Sequence, residues 1–367
     1  MEDAFTFADE LGPSKIVHIY QPRTGLKAVV AIDNVACGPA IGGVRMATDV
    51  SATEAFRLAR AMTLKNAAAG LAHGGGKAVI YGNPAMPAPD KERIIRAFAC
   101  SIGALTDYIP GPDMGTDERA MAWVWDEIGR SVGLPRAFGG IPLDEIGATG
   151  FGLAAAIDVA RGYIGLELKG ARVAVQGFGS VGRHAARFLA RQGAVLVAAS
   201  DTSGTLSDPG GLDIAALIAL KEHGEPLASA SRGKKLPADA IIDVACEIWI
   251  PAARPDVLHG DNAARLQARL VAEGANIPCT IEAEQILARR GVLVLPDFIA
   301  NVGGVICAAA EYHGGTETQA FAAIDEKIRA NTRAVIDEAK RSDTLPRAAA
   351  LALAERRIRS AMALRRW

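Results

Sequence analysis

The sequence lacks the cysteine and hydrophobic patterns of secreted and membrane proteins. Its five cysteines are scattered, and no two of them form a C-x-x-C pair. Neither a disulfide framework nor a structural zinc site is expected, and a reducing, cytoplasmic location fits this usage. No uncharged apolar run reaches the roughly 18 residues that span a membrane. The segment Met1–Glu10 is acidic and lacks the apolar core of a signal peptide.

An excess of charge of either sign is also missing. The 40 Lys and Arg residues nearly balance the 41 Asp and Glu residues, for a net charge of −1. This balance gives no basis for expecting nucleic acid or an anionic membrane as a partner. The six histidines show no metal-ligand spacing, so no metal site is expected.

The length and the pattern of apolar residues favour two α/β domains. Half of the 367 residues are hydrophobic, which is enough to bury a large core. A glycine turn at Gly74–Gly76 is expected to lead into a short strand, Ala78–Tyr81. The rest of the first part predicts two strands, three helices and a linker rich in Gly and Pro: 15–20, 27–33, 51–69, 90–105, 116–130 and 131–150.

The second part predicts a parallel sheet. A strand, a glycine turn, a helix and a strand follow one another between Ala171 and Asp201, as in a βαβ unit. Residues 204–239 are the most loop-like stretch, and residues 317–367 predict two or three amphipathic helices. Four more apolar runs alternate with helical stretches and predict further strands, at 240–244, 248–250, 270–272 and 292–295.

The glycine turn of this βαβ unit carries a dinucleotide-binding fingerprint. The pattern G-x-G-x-x-G follows an apolar strand and opens a helix, and it consists of Gly177, Phe178, Gly179, Ser180, Val181 and Gly182. This context places a pyrophosphate at the start of the helix. Asp201 closes the next strand, where a carboxylate accepts from the adenine ribose of NAD and repels the 2′-phosphate of NADP. The neighbouring Ser200, Thr202 and Ser203 leave NADP as an alternative.

Two lysines flank the glycine-rich stretch Gly74–Gly76. The chain has only 11 lysines, and Lys65 and Lys77 lie twelve residues apart in otherwise apolar sequence. A buried lysine beside another cation loses its proton more readily, which suits acid–base chemistry. The alternative is a pair of surface lysines with buried stems.

Two other motifs are ambiguous by themselves. Asp113, within Pro110–Thr116, is either a catalytic carboxylate or a turn or helix-capping residue. Gly42 and Gly43, within Gly38–Met46, either offer N–H groups to a carboxylate or form a bulge or turn between strands.

In this order, the motifs resemble those of the Glu/Leu/Phe/Val dehydrogenase superfamily of amino-acid dehydrogenases. The resemblance extends from about residue 15 to residue 330. The first motifs look most like leucine and phenylalanine dehydrogenases, whereas the nucleotide-binding half is closer in style to glutamate dehydrogenases. The motifs are GPAIGGVRM, LARAMTLKNAAAGLAHGGGKAVI with its lysine spacing, GPDMGT, ATGFGLAAAIDVA, GFGSVG, LVAEGANIPCT and PDFIANVGGV.

The resemblance implies reversible oxidative deamination of an L-amino acid to a 2-oxo acid and ammonia, with NAD as cofactor. Lys77 would be the catalytic lysine, and Asp113 would be the carboxylate that transfers protons. Lys65 would bind the substrate α-carboxylate, with further substrate contacts from Ile41, Gly42, Gly43, Met62 and Asn301. The nicotinamide and its ribose would be contacted by Thr149, Asn276 and Asn301.

The substrate is suggested by one departure from glutamate dehydrogenases. Those enzymes hold the side-chain carboxylate with a lysine in G-P-x-K-G-G, where this chain has Ile41, and with a serine that is Ala308 here. An unpaired buried carboxylate is costly, whereas an apolar side chain gains burial energy. A hydrophobic amino acid such as leucine, valine or phenylalanine is therefore expected. The alternatives are a glutamate dehydrogenase with an altered pocket and a nucleotide-binding paralogue without turnover.

The resemblance also implies the domain organisation. Residues 1–132 would form an α/β substrate domain, and residues 133–330 a doubly wound Rossmann-type nucleotide-binding domain across a cleft. The C-terminal helices, 331–367, would return to the first domain. A cytoplasmic homo-oligomer with small-molecule substrates, and with no nucleic-acid or membrane partner, is the expected form.

Overall fold

Strands and helices alternate along residues 5–365, the residues that this computed structural model describes. The start of the segment Met1–Glu10 and the last two residues of the predicted C-terminal helices lie outside the described residues. The division into two units differs from the predicted boundaries at 132 and 330, because residues 133–142 and 305–320 belong to the first unit and residues 331–350 to the second. The prediction that all of 331–367 returns to the first domain is therefore wrong for its first part. Unit 1 consists of Met1–Pro142, Val305–Ala320 and Leu351–Trp367, and unit 2 of Leu143–Gly304 and Phe321–Ala350.

A mixed sheet forms the centre of unit 1. Its first segment contains, in chain order, β1 (Lys15–Gln21), β2 (Leu26–Ile32), β3 (Ala40–Ala47), α1 (Ala52–Ala68), β4 (Gly74–Tyr81), α2 (Ala88–Ser101), β5 (Tyr108–Pro112) and α3 (Glu118–Ile128). The strand order is β1-β2-β4-β3-β5, in which β1, β2 and β4 pair antiparallel and β4, β3 and β5 pair parallel. The predicted strands at 15–20 and 27–33 and the predicted helices of this segment are confirmed.

Helices cover both faces of this sheet, and strand alternation decides which residue meets which helix. Val79 packs with Ala55 and Ala59 of α1 on one face, whereas Ile80 packs with Phe98 of α2 and Met121 of α3 on the other. Helix α1 begins where the Ser51 side chain accepts from the Glu54 N–H, as its sequence predicts. Since Lys77 and Val79 are two residues apart on β4, Lys77 faces α1.

The predicted turn at Gly74–Gly76 is wrong, because these residues are the first part of strand β4. Their small size serves close packing here. A Cβ on Gly75 would lie 2.0 Å from the Thr63 nitrogen of α1, and one on Gly76 would lie 2.8 Å from the Tyr108 ring. Glycine therefore lets helix α1 and the Tyr108 ring pack against the two faces of β4.

Unit 2 contains the predicted βαβ unit within a larger sheet. Strand order is β12-β11-β10-β6-β7-β8-β9, where β6, β7 and β10 to β12 are parallel and β8 and β9 extend one edge antiparallel. This is a doubly wound Rossmann-type sheet, with its switch in strand order beside β6. The elements are α4 (Leu143–Ile146), α5 (Ala148–Tyr163), β6 (Arg172–Gln176), α6 (Ser180–Arg191), β7 (Val195–Asp201), β8 (Gly204–Ser207), α7 (Ile214–Glu222), β9 (Lys234–Leu236), β10 (Ile248–Pro251), β11 (Leu270–Ala272), α8 (Ile281–Arg289), β12 (Leu293–Leu295) and α9 (Asp297–Ala300).

Two predictions for this half differ from the structure. The apolar run at 240–244 is not a strand but belongs to a 3-10 helix, Ala238–Asp243, whose Ile241 carbonyl accepts from the buried Trp249 indole. A short apolar run fits either state, and the Pro at position 237 starts the helical turn. The loop-like stretch 204–239 contains β8, α7 and β9. The chain ends in α10 (Gly303–Tyr312), α11 (Glu317–Ser342) and α12 (Pro346–Met362), so residues 317–362 form two helices.

A buried ion cluster connects three elements of unit 2. The Arg347 guanidinium donates to carboxylates of Glu273, Glu284 and Asp297 at 2.6, 2.5 and 2.9 Å. Glu273 follows β11, Glu284 belongs to α8 and Asp297 begins α9. All three residues are buried. Burial raises the pKa of Glu273, and the charge of Arg347 acts in the opposite direction.

We expect Arg347→Met to lower the free energy of unfolding by about 3 kcal/mol, since it leaves buried carboxylates without their cation. Burial raises the pKa of Glu273 and of Glu284 and the charge of Arg347 lowers both, so without Arg347 the two pKa values rise further and the folded variant loses more stability as pH rises toward them. The deficit of the variant should therefore grow with pH, as measured by urea unfolding at pH 6 and pH 8. The control is Arg341→Met, which removes an exposed arginine paired only with Glu338 of its own helix. Equal losses in the two variants would contradict the expectation.

Candidate active site

Two predicted catalytic side chains of unit 1 meet across strand β3. Lys77 lies in the middle of β4 and Asp113 directly follows β5, so β3 separates their backbones. The Lys77 Nζ nevertheless donates to the Asp113 Oδ2. Gly43 of β3 makes this contact possible, because a Cβ there would lie 2.7 Å from that carboxylate oxygen.

The Lys77 amine is in surroundings that disfavour its charged form. The residue is only 5% exposed. Burial, followed by the charge of Arg45, lowers the pKa of Lys77 to about 7, with Lys65 acting in the same direction and Glu54 in the opposite one. The charge of Asp113 favours the ammonium form, but burial and the two cations together outweigh it, so the pKa of Lys77 is lowered. The alternative of two surface lysines is therefore wrong for Lys77.

Arg45 and Glu54 complete this charged cluster, and sequence reasoning assigned neither of them a role. Arg45 donates from Nη2 and Nε to Asp113 Oδ1 at 3.2 and 3.3 Å, and from Nη1 to Glu54 Oε1 at 2.5 Å. The signal that could have found Arg45 is strand alternation, which puts residues 43 and 45 of β3 on one face. The parallel register of Val44 with Pro112 then brings residue 45 beside Asp113.

The remaining predicted substrate residues of unit 1 lie on β3 and α1. Ile41 and Gly42 are strand residues, which excludes the alternative of a bulge or turn. A Cβ on Gly42 would lie 1.6 Å from the Gly76 carbonyl oxygen, so the approach of β3 to β4 requires glycine. Met62 and Lys65 are half-buried in the last turns of α1.

Asp113 is not the cap of the following helix. The side chain of Asp117 has that role, accepting from the Ala120 N–H at 2.9 Å. The carbonyl oxygen of Asp113 accepts from the Thr116 N–H in a turn, while the carboxylate is directed to Lys77 and Arg45. Its backbone thus forms the turn that the motif predicted, and its side chain is available for chemistry.

The fingerprint of unit 2 has the shape that a dinucleotide requires. Gly177 has a φ of +95°, which favours glycine, and a Cβ on Gly182 would lie 2.0 Å from the Gly177 carbonyl oxygen. Gly179 precedes α6, and nothing lies within 4 Å of the position that its Cβ would take. No side chain caps the first N–H groups of α6. The loop therefore leaves room and backbone donors for a pyrophosphate.

Asp201 closes β7, as predicted, but its oxygens are already engaged. Oδ2 accepts from Lys221 Nζ at 2.8 Å and from the Leu227 N–H at 2.9 Å, and Oδ1 accepts from the Ser203 N–H and hydroxyl. These hydrogen bonds lower the pKa of Asp201 to about 2 against the effect of burial, so it is a carboxylate at neutral pH. Each of the two carboxylate oxygens thus already accepts two hydrogen bonds.

The three residues expected at the nicotinamide lie in unit 2. Asn301 follows α9, and its amide nitrogen donates to the carbonyl oxygens of Gly274 and Ala275 and to Asn276 Oδ1. Thr149 is the second residue of α5, with its hydroxyl 3.0 Å from where a Cβ of Gly304 would lie. The structure thus ties Asn301 to Asn276, whereas the other predicted substrate residues belong to unit 1.

Across residues 5–365, no group of three or more His, Cys, Asp or Glu side chains is arranged to hold a metal ion. Within the same range, none of the helices has the length and apolar character to cross a membrane.

Comparisons with known proteins match both parts of the chain. The model of the family described as Glutamate/Leucine/Phenylalanine/Valine dehydrogenase matches residues 139–366, and that of the Glu/Leu/Phe/Val dehydrogenase dimerisation domain matches residues 13–130. A glutamate dehydrogenase of Aeropyrum pernix is 38% identical over 357 residues, which covers 91% of this chain and 85% of that protein.

Two solved structures show the same fold. A leucine-bound, hetero-hexameric glutamate dehydrogenase of Thermus thermophilus has a TM-score of 0.84 at 30% identity, covering 96% of this chain and 90% of the other. An L-tryptophan dehydrogenase of Nostoc punctiforme has a TM-score of 0.77 at 27% identity, covering 96% and 98%. The chain belongs to the Glu/Leu/Phe/Val dehydrogenase family, which confirms the resemblance seen in its motifs. It is an amino-acid dehydrogenase, an oxidoreductase whose cofactor is a nicotinamide dinucleotide.

We expect Gly43→Ala to reduce kcat/KM for amino-acid oxidation by about 100-fold, because the added methyl group moves the Asp113 carboxylate away from Lys77. The melting temperature should also fall, since the methyl group would lie 2.8 Å from the Asp113 Cβ and 3.0 Å from the Pro112 carbonyl oxygen, which side-chain rotation cannot move; activity is therefore compared well below the melting temperature of the variant. The matched control is Gly162→Ala in helix α5, where a Cβ meets nothing within 4 Å. Full activity in the Gly43 variant would show that the Lys77–Asp113 contact is dispensable.

Proposed function

We propose that this enzyme reversibly deaminates an L-amino acid with an apolar side chain, giving the 2-oxo acid and ammonia. The observation that carries the chemistry is the buried contact between Lys77 and Asp113. A half-buried lysine, Lys65, lies on the helix that this contact faces. An amine that loses its proton near neutral pH, a carboxylate and a second cation are the groups that acid–base work on an amino acid requires.

Each group has a separate task. Lys65 binds the α-carboxylate of the substrate. Lys77, as the neutral amine, takes a proton from the water that attacks the substrate imine, and Asp113 exchanges protons with the substrate nitrogen. A bound nicotinamide would supply the acceptor for the hydride from the substrate Cα. Asn276, Asn301 and Thr149 would hold the nicotinamide and its ribose, and Asn301 would also contact the substrate.

The apolar preference rests on Ile41 and Ala308. Both are buried, at 3% and 8% exposure, and neither can pair with a side-chain carboxylate. Burying a carboxylate without a partner costs far more free energy than burying an apolar side chain gains. The tryptophan dehydrogenase among the structural neighbours supports an apolar substrate. Glutamate is the second candidate, because the Aeropyrum pernix relative is named a glutamate dehydrogenase.

Initial rates with leucine, valine, phenylalanine, tryptophan and glutamate at alkaline pH test this choice. We expect turnover of an apolar amino acid and none of glutamate. Ile41→Lys should lower kcat/KM for the apolar substrate by at least about tenfold, because it places a charge against the side chain. Ile41→Met, which keeps an apolar residue of similar volume, is the matched control. Glutamate turnover by the wild type would refute the apolar pocket while leaving the catalytic lysine in place.

We also propose NAD rather than NADP as the cofactor. Gly177, Phe178, Gly179, Ser180, Val181 and Gly182 would hold the pyrophosphate. The ionised Asp201 opposes a 2′-phosphate by charge, and it accepts hydrogen bonds as a ribose hydroxyl requires. Lys221, 2.8 Å from Asp201, offsets part of this repulsion, so NADP is the alternative.

Asp201→Asn tests the cofactor proposal, because it keeps an acceptor oxygen and removes only the charge. We expect the ratio of kcat/KM for NAD over NADP to exceed about tenfold in the wild type and to shrink by about tenfold in the variant. Asp208→Asn, at a carboxylate that follows β8 and lies at the opposite end of the β7–β8 pair from Asp201, serves as the control. An unchanged ratio in Asp201→Asn would mean that other residues select the cofactor.

The expected oligomer also stays a proposal. The matched domain is described as a dimerisation domain, and the Thermus thermophilus neighbour is a hetero-hexamer. These descriptions support an oligomer of this chain.

A further inference from the structure

Four charged groups surround the Lys77 amine from the elements packed around β4. Arg45 lies on β3, Glu54 and Lys65 lie on α1, and Asp113 follows β5. The carboxylate next to β2, Asp33, is fully buried and is engaged by Arg60 and Thr63. The charge balance at Lys77 therefore depends on these four side chains, and Arg45 is bonded to two of them.

Arg45 divides its guanidinium between two carboxylates. One edge donates to Asp113 Oδ1 and the remaining nitrogen donates to Glu54 Oε1. The other oxygen of Asp113 is left for the Lys77 amine. The side chains of Arg45, Glu54 and Asp113 are 14 to 31% exposed, so water screens their charges only in part. Two nitrogens of the planar guanidinium converge on one oxygen of Asp113, which holds that oxygen in place, and the positive charge favours the ionised carboxylate.

We propose that Arg45, held by Glu54, is a positioning residue: it fixes the Asp113 carboxylate beside the Lys77 amine and, by its positive charge, favours the uncharged form of that amine. The proposal rests on the proposed function, in which Lys77 acts as a base. Glu54 accepts a hydrogen bond from Arg45 and holds it in place, while its negative charge opposes the effect of Arg45 on Lys77.

The two members of this pair act on Lys77 with opposite signs, which separates the proposal from a purely structural role. Arg45 lowers the pKa of Lys77 and Glu54 raises it. Removing Arg45 leaves Glu54 unopposed, so the Lys77 amine should hold its proton to higher pH. Removing Glu54 frees the charge of Arg45, so the amine should lose its proton at lower pH. A loss of packing would not produce shifts in two directions.

The experiment measures the acetylation of Lys77 by trace acetic anhydride across pH 5 to 11 in the full chain, with mass-spectrometric detection. Only the neutral amine reacts, so the midpoint of the labelling curve reports its proton loss. We expect the midpoint to move up by about one pH unit in Arg45→Gln and down by about half a unit in Glu54→Gln. The acidic limb of the kcat/KM profile should move with it. Arg45→Lys should keep the midpoint within about 0.3 units and lower kcat about tenfold, because charge remains and the fork is lost.

The control is Arg96→Gln, which removes ion pairs with Glu92 of α2 and with Asp126 and Glu127 of α3 and should move neither curve. Glu54 lies in the first turn of α1 and its side chain is 31% exposed. Glu54→Gln therefore tests the direction of the midpoint shift even if Arg45→Gln folds poorly. Shifts in the same direction, or no shift, would overturn the role of Arg45. Labelling needs no substrate. Unchanged midpoints with full turnover would therefore overturn this role alone, whereas shifted midpoints without oxidation of any amino acid would overturn the proposed function alone.

Discussion

The contact between a buried lysine and a carboxylate two strands away is the constraint on which the architecture of unit 1 depends. Lys77 and Asp113 belong to β4 and to the end of β5, and β3 runs between them. A side chain on β3 at this point would block the contact, which accounts for Gly43. A buried ammonium without a partner would cost several kcal/mol, so the same contact also makes the buried site tolerable.

The glycines on both sides of this contact serve the same end. Gly42 allows β3 to approach β4, while Gly75 and Gly76 allow α1 and the Tyr108 ring to pack on its two faces. The helix that approaches in this way carries Lys65 and Glu54, two of the four charges that act on Lys77. Close backbone packing and the charge state of the lysine are therefore linked, because Gly42 brings the strand of Arg45 nearer and Gly75 brings the helix of Lys65 and Glu54 nearer.

In unit 2, polar side chains hold the segments that follow parallel strands. Arg347 binds the carboxylates at the ends of β11 and at the start of α9, and Asn301 ties α9 to the loop that holds Asn276. Asp201 is oriented by Lys221 and Ser203 at the end of β7. The carboxyl ends of the strands, where such a sheet binds its ligand, are thus fixed by hydrogen bonds within the unit.

The sequence by itself determined the βαβ unit and the helix after Ser51, because these follow from local periodicity and capping. Its fingerprint pointed to Gly177, and the resemblance of its motifs to a known family pointed to Lys77 and Asp113 as candidate site residues. It did not determine that Gly74–Gly76 form a strand, since glycine is compatible with a turn and with close strand packing alike. Nor did it assign a role to Arg45, whose partners Asp113 and Glu54 lie on other elements. Only the tertiary structure decided which charges surround Lys77, because strand order and register bring together residues that are far apart in the chain.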